Sequence, residues 1–503
     1  MFNILLAHPH IVIWTTLILF FERAMYCGYV VDDDVWCSVM RKHKKDYHDK
    51  KMPLYRLLKH STYGAGIFKN AIQEHLFTVI LHGAICSLIY HISGSLLAAM
   101  LYLLNPINNQ TTLWLNGRRY ALTVLFVLIA WGFPLTAPAM AVLCANVHIS
   151  GVLFPVLFMW SPYWILSVFG SAIMAIFGLP GFLKIAKSRK SQFKNGNENH
   201  KITCKKLILY VKTVGYQFVN CVFPNKPAMY HNFLFYFSQT EEGTKEGYSL
   251  NFDFWKGIAV CGALGYLIIF QHSFWAFWFL VFISPWCNLY QITMTASDRY
   301  CSLPNIGAMC LLAGWLIKLP DPIRTAAISA IAAFYAIKYR PLFFAYRNVI
   351  NFYNYHINQQ PDIINPRFFL SKIYIAKKDV FQAYSIIRQG MRYRPYDFKL
   401  LLGFIECLFT LGKPTSALRA MEVCEKHVPP LEVADTENLF AGIRKQYRKE
   451  YEALQKSKDE VDRMNSDQLY DEKVKIKNNT SALTASQRKK VISICNKVSR
   501  LTN

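Results

Sequence analysis

The sequence is short of charge. Only 17% of its 503 residues are Asp, Glu, Lys or Arg, against roughly 25% in soluble domains. By length alone about three soluble domains would fit, but with 53% hydrophobic residues the composition excludes them. It excludes disorder, collagen and a small disulfide scaffold too. The 13 Cys form no CxxC pair; they read as small hydrophobes inside apolar segments and say little about redox compartment. The first apolar run has no basic n-region and no small-residue cleavage site, so it is expected to be a retained helix. Acidic residues are the scarce sign: 31 against 56 Lys and Arg, a net charge of +25.

Mean hydropathy is nevertheless +0.18, so the apolar residues and the charges occupy different stretches. The basic residues lie in loops between apolar runs. Anionic lipid or phosphate is therefore the expected partner, and nucleic acid is not. Aromatics, at 15%, suit membrane interfaces.

A bilayer core needs roughly 20 apolar residues per helix. Apolar runs fall near 5–21, 76–91, 93–105, 120–134, 136–149, 151–163, 165–183, 255–270, 272–287, 303–318 and 321–338. The expected fold is all-α, a polytopic membrane domain over 1–344 with about 11 transmembrane helices. Three polar stretches interrupt it, at 22–70, 184–254 and 288–302. With that parity they share one side of the membrane with everything after residue 338. The opposite loops hold almost no Lys or Arg, against the positive-inside rule, which long segments obey poorly.

Past Tyr339 the pattern changes. Ala383 and Ala417 are 34 residues apart, as are Pro395 and Pro429, and Lys378 and Gly412 share the same register. That period predicts a short tetratricopeptide-like helical domain over 345–450. The segment 451–503 is charged and reads as a helical or disordered tail.

Four places could carry chemistry. Asp32, Asp33 and Asp34 follow the first run; adjacent carboxylates near low dielectric suit a general base and are compatible with a divalent cation. Glu74, His75 and His82 sit at the start of the next run, the two His on one helix face; the spacing is not HExxH, and no metal is assigned. Residues 105–120 bring Trp114 to the expected interface, with Arg118 and Arg119 as planar donors for phosphate. Asp298, Arg299 and Tyr300 precede a run that opens with Pro304. The bland readings are a solvated loop, helix-packing polar groups, interfacial snorkelling and a local ion pair.

Read in order, VVDDDVW, HLFTVILH, NPINNQTTLWLNGR and SDRYCSLPNIG resemble the motif series of the multi-spanning GT-C glycosyltransferases with C-terminal tetratricopeptide repeats. These are the TMTC-type protein O-mannosyltransferases and their bacterial relatives. The last two matches are the specific ones. The chain departs from the pattern at Asn105 and Thr78, where His and Asn are usual, and at Cys301 and Ser302. The segment YVKTVGYQFVNCVFPNKPA resembles the family's external amphipathic helix and Pro-containing turn.

The resemblance implies an inverting hexosyltransferase in a bacterial inner membrane or the endoplasmic reticulum membrane, with site and repeats on the periplasmic or lumenal side. The donor is a polyprenyl-phosphate-linked sugar and the acceptor a hydroxyl, of protein Ser or Thr, presented through the repeats. An Asp of the triplet is the base, with Asp32 and Asp33 the preferred pair. Arg118, Arg119 and Arg299 are assigned to the donor phosphate, and Glu74, His75, His82, Asp298 and Tyr300 to positioning sugar or acceptor. The alternatives are the same fold with a lipid or polysaccharide acceptor, or an inactive scaffold that recruits partners. A transporter would show internal repeats among its spans, and none is evident.

Overall fold

The computed structural model describes residues 8–31, 33, 68, 70–147, 153–160, 165, 204–231, 233, 241–288, 296–428, 433–449, 451–453 and 455–456. These are helical, with no β-strand among them. Asp32, Asp34, the basic run after Met40, most of the apolar run 165–183 and nearly all of the charged tail lie outside the described residues. The chain forms two compact units, Met1–Pro366 and Arg367–Asn503.

In the first unit, α1 (Pro9–Phe21) opens on a proline at its first turn and buries Ile13, Leu17 and Phe21 along one stripe. Its other face leaves Ile11, Ile18 and Leu19 exposed. Such an outward apolar face is compatible with membrane association. Helix α2 (Ala71–Ser93) is capped by the Asn70 side chain, which accepts from the Gln73 amide, and ends at Gly94 with φ +66°. Gly83 lets α1 cross α2 closely: a Cβ there would lie 2.5 Å from the Leu17 side chain.

Helix α3 (Leu96–Leu104) leads into a broken segment. It contains α4 (Asn109–Thr112), 3₁₀ turns at Pro106–Asn108 and Leu115–Gly117, and then α5 (Arg118–Gly132). The bend between the two halves is 96°. Gly117 permits the return, because a Cβ there would fall 1.7 Å from the Gln110 carbonyl oxygen. Helices α6 (Ala137–Val147), α7 (Phe154–Leu157), α8 (Cys204–Val222), α9 (Glu241–Tyr248), α10 (Phe252–Ile269), α11 (Phe274–Ile283), α12 (Pro304–Ile317), α13 (Asp321–Ala345) and α14 (Val349–Gln359) complete the unit. α8 and α10 touch backbone to backbone: a Cβ on Gly257 would lie 2.3 Å from the Val211 carbonyl, and one on Gly215 2.5 Å from the Gly257 Cα. Small residues are what such a crossing requires.

Two described helices, α2 and α10, are long and apolar enough to cross a membrane, and the bent pair at 106–132 makes up to three. The expected count of about 11 is thus not reached among the described residues. Parts of the runs near 136–149, 151–163 and 165–183 lie outside the described residues. Other runs form short helices: α3, after Gly94, has 9 residues. The 3₁₀ turn Ser284–Trp286 shortens α11 to 10 residues. Helix α13 has 25 residues but carries Asp321, Arg324, Lys338 and Arg340, with Pro341 inside it.

The second unit contains α15 (Asn365–Ala376, which starts at the boundary), α16 (Val380–Met391), α17 (Phe398–Thr410), α18 (Pro414–Glu425) and α19 (Val433–Gln446). The 34-residue register is visible in its turns. Lys378 (φ +64°) and Gly412 (φ +67°) are both left-handed. The next amide in each turn reaches back five residues, Asp379 to the Tyr374 carbonyl and Lys413 to the Leu408 carbonyl, both at 2.9 Å. These are Schellman closures. Ala383 and Ala417, five residues past each left-handed position, are fully buried. Lys372 also pairs with Glu406, the residue in the same register.

Candidate functional site

The broken segment is the centre of the first unit. Asn105, Asn108, Asn109, Gln110, Thr112 and Asn116 are all buried. Irregular backbone and polar side chains survive among apolar helices only when their hydrogen bonds are satisfied internally. Asn105 donates to the Cys221 carbonyl at 2.7 Å and accepts from the Ile107 amide at 3.0 Å. Asn108 donates to the Tyr102 carbonyl at 2.7 Å. Gln110 donates to the Ala228 carbonyl at 3.0 Å. Trp114, expected at an interface, is instead 4% exposed inside this core. Asn109 lies in an N-x-T triplet but is fully buried, so in this fold it is closed to glycosylation.

Asp298 is fully buried and receives four donors. The Asn109 amide donates to Oδ2 at 2.6 Å and the Ala228 backbone N–H to the same oxygen at 2.7 Å. His231 Nε2 reaches Oδ1 at 2.7 Å and the Asn220 amide reaches it at 3.3 Å. The carboxylate can only accept, so Nε2 carries the proton. His231 Nδ1 is then left to accept from the Tyr216 hydroxyl at 2.8 Å. Helix α8 supplies Tyr216 and Asn220, the turn after it supplies Ala228 and His231, and a 3₁₀ turn supplies Asp298. In the same turn, the Met229 amide donates to His356 Nε2 at 2.9 Å, while His356 Nδ1 donates to the Phe352 carbonyl at 2.8 Å. Burial pushes the His356 pKa down to about 4, consistent with a ring that must accept at Nε2.

Asp33 is the described member of the triplet and is also fully buried. Its Oδ2 accepts from the Val30 amide at 3.0 Å and its Oδ1 from the Asn116 amide at 3.1 Å. This joins the segment after α1 to the broken segment. Val31, two residues earlier, has φ +57°. A β-branched residue there is strained by about 1–3 kcal/mol, the kind of strain that collects at functional sites.

Glu74 and Arg118 meet in a fully buried ion pair of 2.6 Å. Arg118 also donates to the Thr78 hydroxyl at 3.3 Å and the Glu74 carbonyl at 3.1 Å, and its guanidinium lies 5.1 Å from the Phe77 ring centroid. The Phe68 amide donates to the other Glu74 oxygen at 2.7 Å. Two residues assigned separately from sequence, one to sugar and one to phosphate, are each other's partners. His75 is fully buried, with the Gly28 backbone and Arg118 as its polar surroundings. His82 donates from Nε2 to the Leu103 carbonyl at 3.2 Å and meets Phe21 edge-on, which ties α2 to α3.

Arg299 lies over two rings, 5.6 Å from the Trp114 centroid and 5.2 Å from that of Tyr300. Tyr300 in turn stacks on Trp286 at 4.3 Å. Arg119 is half-buried, lies 5.6 Å from the Tyr120 centroid, and its buried Nε makes no hydrogen bond. Among the described residues no group of three or more His, Cys, Asp or Glu could hold a metal. His231, Tyr216, Asn220 and His356 were not singled out from the sequence. Tyr216 and Asn220 lie in the segment 210–228 noted above as an amphipathic helix and turn, and His231 is a lone His just past it.

No protein-family model, no curated protein and no solved structure matches this chain.

Proposed function

We propose that the protein is an integral-membrane inverting glycosyltransferase of the GT-C kind. It moves a mannose-like hexose from a polyprenyl-phosphate carrier to an acceptor hydroxyl, that of Ser or Thr in a protein, on the external or lumenal face. The observation that supports this reading is convergence. The other three segments that carry the resemblance meet the broken segment, which is the fourth: Asp33 at Asn116, Glu74, one residue before HLFTVILH, at Arg118, and Asp298 and Arg299 at Asn109 and Trp114. The full set of about 11 spans and the reading of the second unit as tetratricopeptide repeats belong to this proposal.

In this mechanism the acceptor oxygen attacks the anomeric carbon from the face opposite the phosphate. The C–O bond to the phosphate breaks, and the hydroxyl proton passes to Asp33. Backbone N–H groups on both of its oxygens fix the carboxylate's orientation. Arg299 and Arg119 stabilise the charge that develops on the departing phosphate. Glu74 fixes Arg118, and His231 fixes Asp298, so these pairs hold the geometry of the site rather than touch the sugar.

The test uses full-length protein in vesicles, with labelled polyprenyl-phosphate hexoses as donors and membrane proteins as acceptors. Wild type transfers label to protein, and Asp33→Asn loses roughly 10²–10⁴-fold in rate. Label appearing in lipid or glycan instead would change the acceptor. Full activity in Asp33→Asn would remove Asp33 from the mechanism.

A second reading has its own observation. Asp33 and Asp298 both have backbone donors on their oxygens, as purely structural carboxylates do. That favours an inactive membrane scaffold whose second unit recruits partners. The same experiment decides, since a scaffold transfers nothing from any donor.

A further inference from the structure

A pocket of about 270 Å³ opens between α1 and α13, and none of the polar side chains of the broken segment lines it. It is lined by Leu19, Phe20, Ala336 and Phe343 and by two arginines, Arg23 and Arg340. Both arginines are exposed, and among the described residues neither forms an ion pair or a side-chain hydrogen bond. Glu22, next in the chain, is not among the lining residues.

The pocket's shape is held by the fold. Phe20 packs edge-on against Phe343 at 5.9 Å and against Tyr339 at 5.5 Å. Past the end of α1 the chain is hooked to the end of α13: the Gly28 amide donates to the Tyr346 carbonyl at 2.9 Å and Cys27 Sγ to the Phe343 carbonyl at 3.8 Å. No side chain fits at Gly28, where a Cβ would fall 2.5 Å from the Arg347 carbonyl. These ties keep the two arginines on one rim. The helix faces around the pocket are apolar and outward: Ile18, Leu19, Ile337 and Phe344 are all exposed.

We propose that this pocket binds one anionic phospholipid of the surrounding bilayer. Its headgroup phosphate sits between Arg23 and Arg340, and an acyl chain lies along Leu19, Phe20 and Phe343. Guanidinium forks match phosphate oxygens, and unpaired cations at the edge of an apolar helix surface are where an anionic headgroup gains most. Charge decides the occupant: the rim carries two positive charges and no negative one, on a chain whose net charge is +25.

The test is binding, so it is independent of transferase activity. Full-length protein in detergent is titrated with phosphatidylglycerol, phosphatidylcholine, glycerol 3-phosphate or undecaprenyl phosphate, and bound lipid is read by native mass spectrometry. The expected result is preference for phosphatidylglycerol over phosphatidylcholine. Affinity should fall roughly fivefold in Arg23→Gln or Arg340→Gln and about thirtyfold in the double variant. Leu19→Gln should also weaken binding, and glycerol 3-phosphate should not compete. Equal binding by wild type and the double variant, with unchanged melting temperatures, would overturn the proposal. So would tight binding of glycerol 3-phosphate, which marks a soluble-phosphate site, or binding of undecaprenyl phosphate alone, which would give the pocket to the donor.

Discussion

His231 and Asp298 are joined Nε2 to Oδ1 at 2.7 Å, both buried, 67 positions apart in the chain. The bond locks the turn after α8 onto the 3₁₀ turn that carries Asp298, Arg299 and Tyr300. With the Asn109 amide on the other oxygen, it orients the segment from which Arg299 projects.

Asp298→Ala strips an acceptor from four buried donors. Leaving them unpaired is expected to cost about 3–5 kcal/mol. Asp298→Asn, which keeps one acceptor oxygen, should cost less. Thermal unfolding of the purified protein in detergent reads both, and a melting temperature unchanged in Asp298→Ala would refute the network.

The Glu74–Arg118 pair is fully desolvated. Removing one partner should cost about 3–5 kcal/mol, because the other charge stays buried and alone. Glu74→Leu with Arg118→Met should recover most of that loss. A double-mutant cycle on unfolding free energies would show it as a strong coupling; additive single costs would mean the two side chains do not pair.

His356 gives a pH signature. Its folded pKa of about 4 lies below the ordinary 6.5. The unfolded chain therefore binds the extra proton between those values, and stability rises with pH there. The contribution is fully present above about pH 6.5 and is lost as pH falls toward 4, on the order of 3 kcal/mol. The difference in unfolding free energy between wild type and His356→Gln should vary with pH across that window and be flat above it. A difference independent of pH would contradict the neutral ring.

In the second unit, Lys378 holds the left-handed conformation that Gly412 holds one register later. Lys378→Gly should therefore stabilise, or at worst be neutral, whereas Gly412→Ala should destabilise by about 1 kcal/mol. Opposite signs in denaturant midpoints check the equivalence of the two turns, and equal signs would break it.

The helical architecture was legible because helices write themselves locally. The apolar runs mark most of the described helices of the first unit, and the 34-residue register of Lys378 and Gly412 appears in the structure as matched left-handed turns. Hydropathy proposes about 11 spans, and two described helices, or three with the bent pair, are long and apolar enough to cross a membrane. An apolar run says nothing of where a turn such as Ser284–Trp286 divides it, and a short apolar helix buried among others looks like a short membrane span. Within the site, Asp33, Glu74, Arg118 and Arg299 stood out by type and position. His231 and Tyr216 did not, since a single His and a single Tyr carry no periodicity.

By itself the sequence determined an apolar helical chain, the stretches where its charge lies and the register of its C-terminal turns. Only the tertiary structure decided which polar groups meet. Asn109 and Asp298 are 189 positions apart and 2.6 Å from each other. Local propensity depends on neighbours within a turn or two. A buried carboxylate is satisfied by whichever donors the packing of distant helices brings within reach.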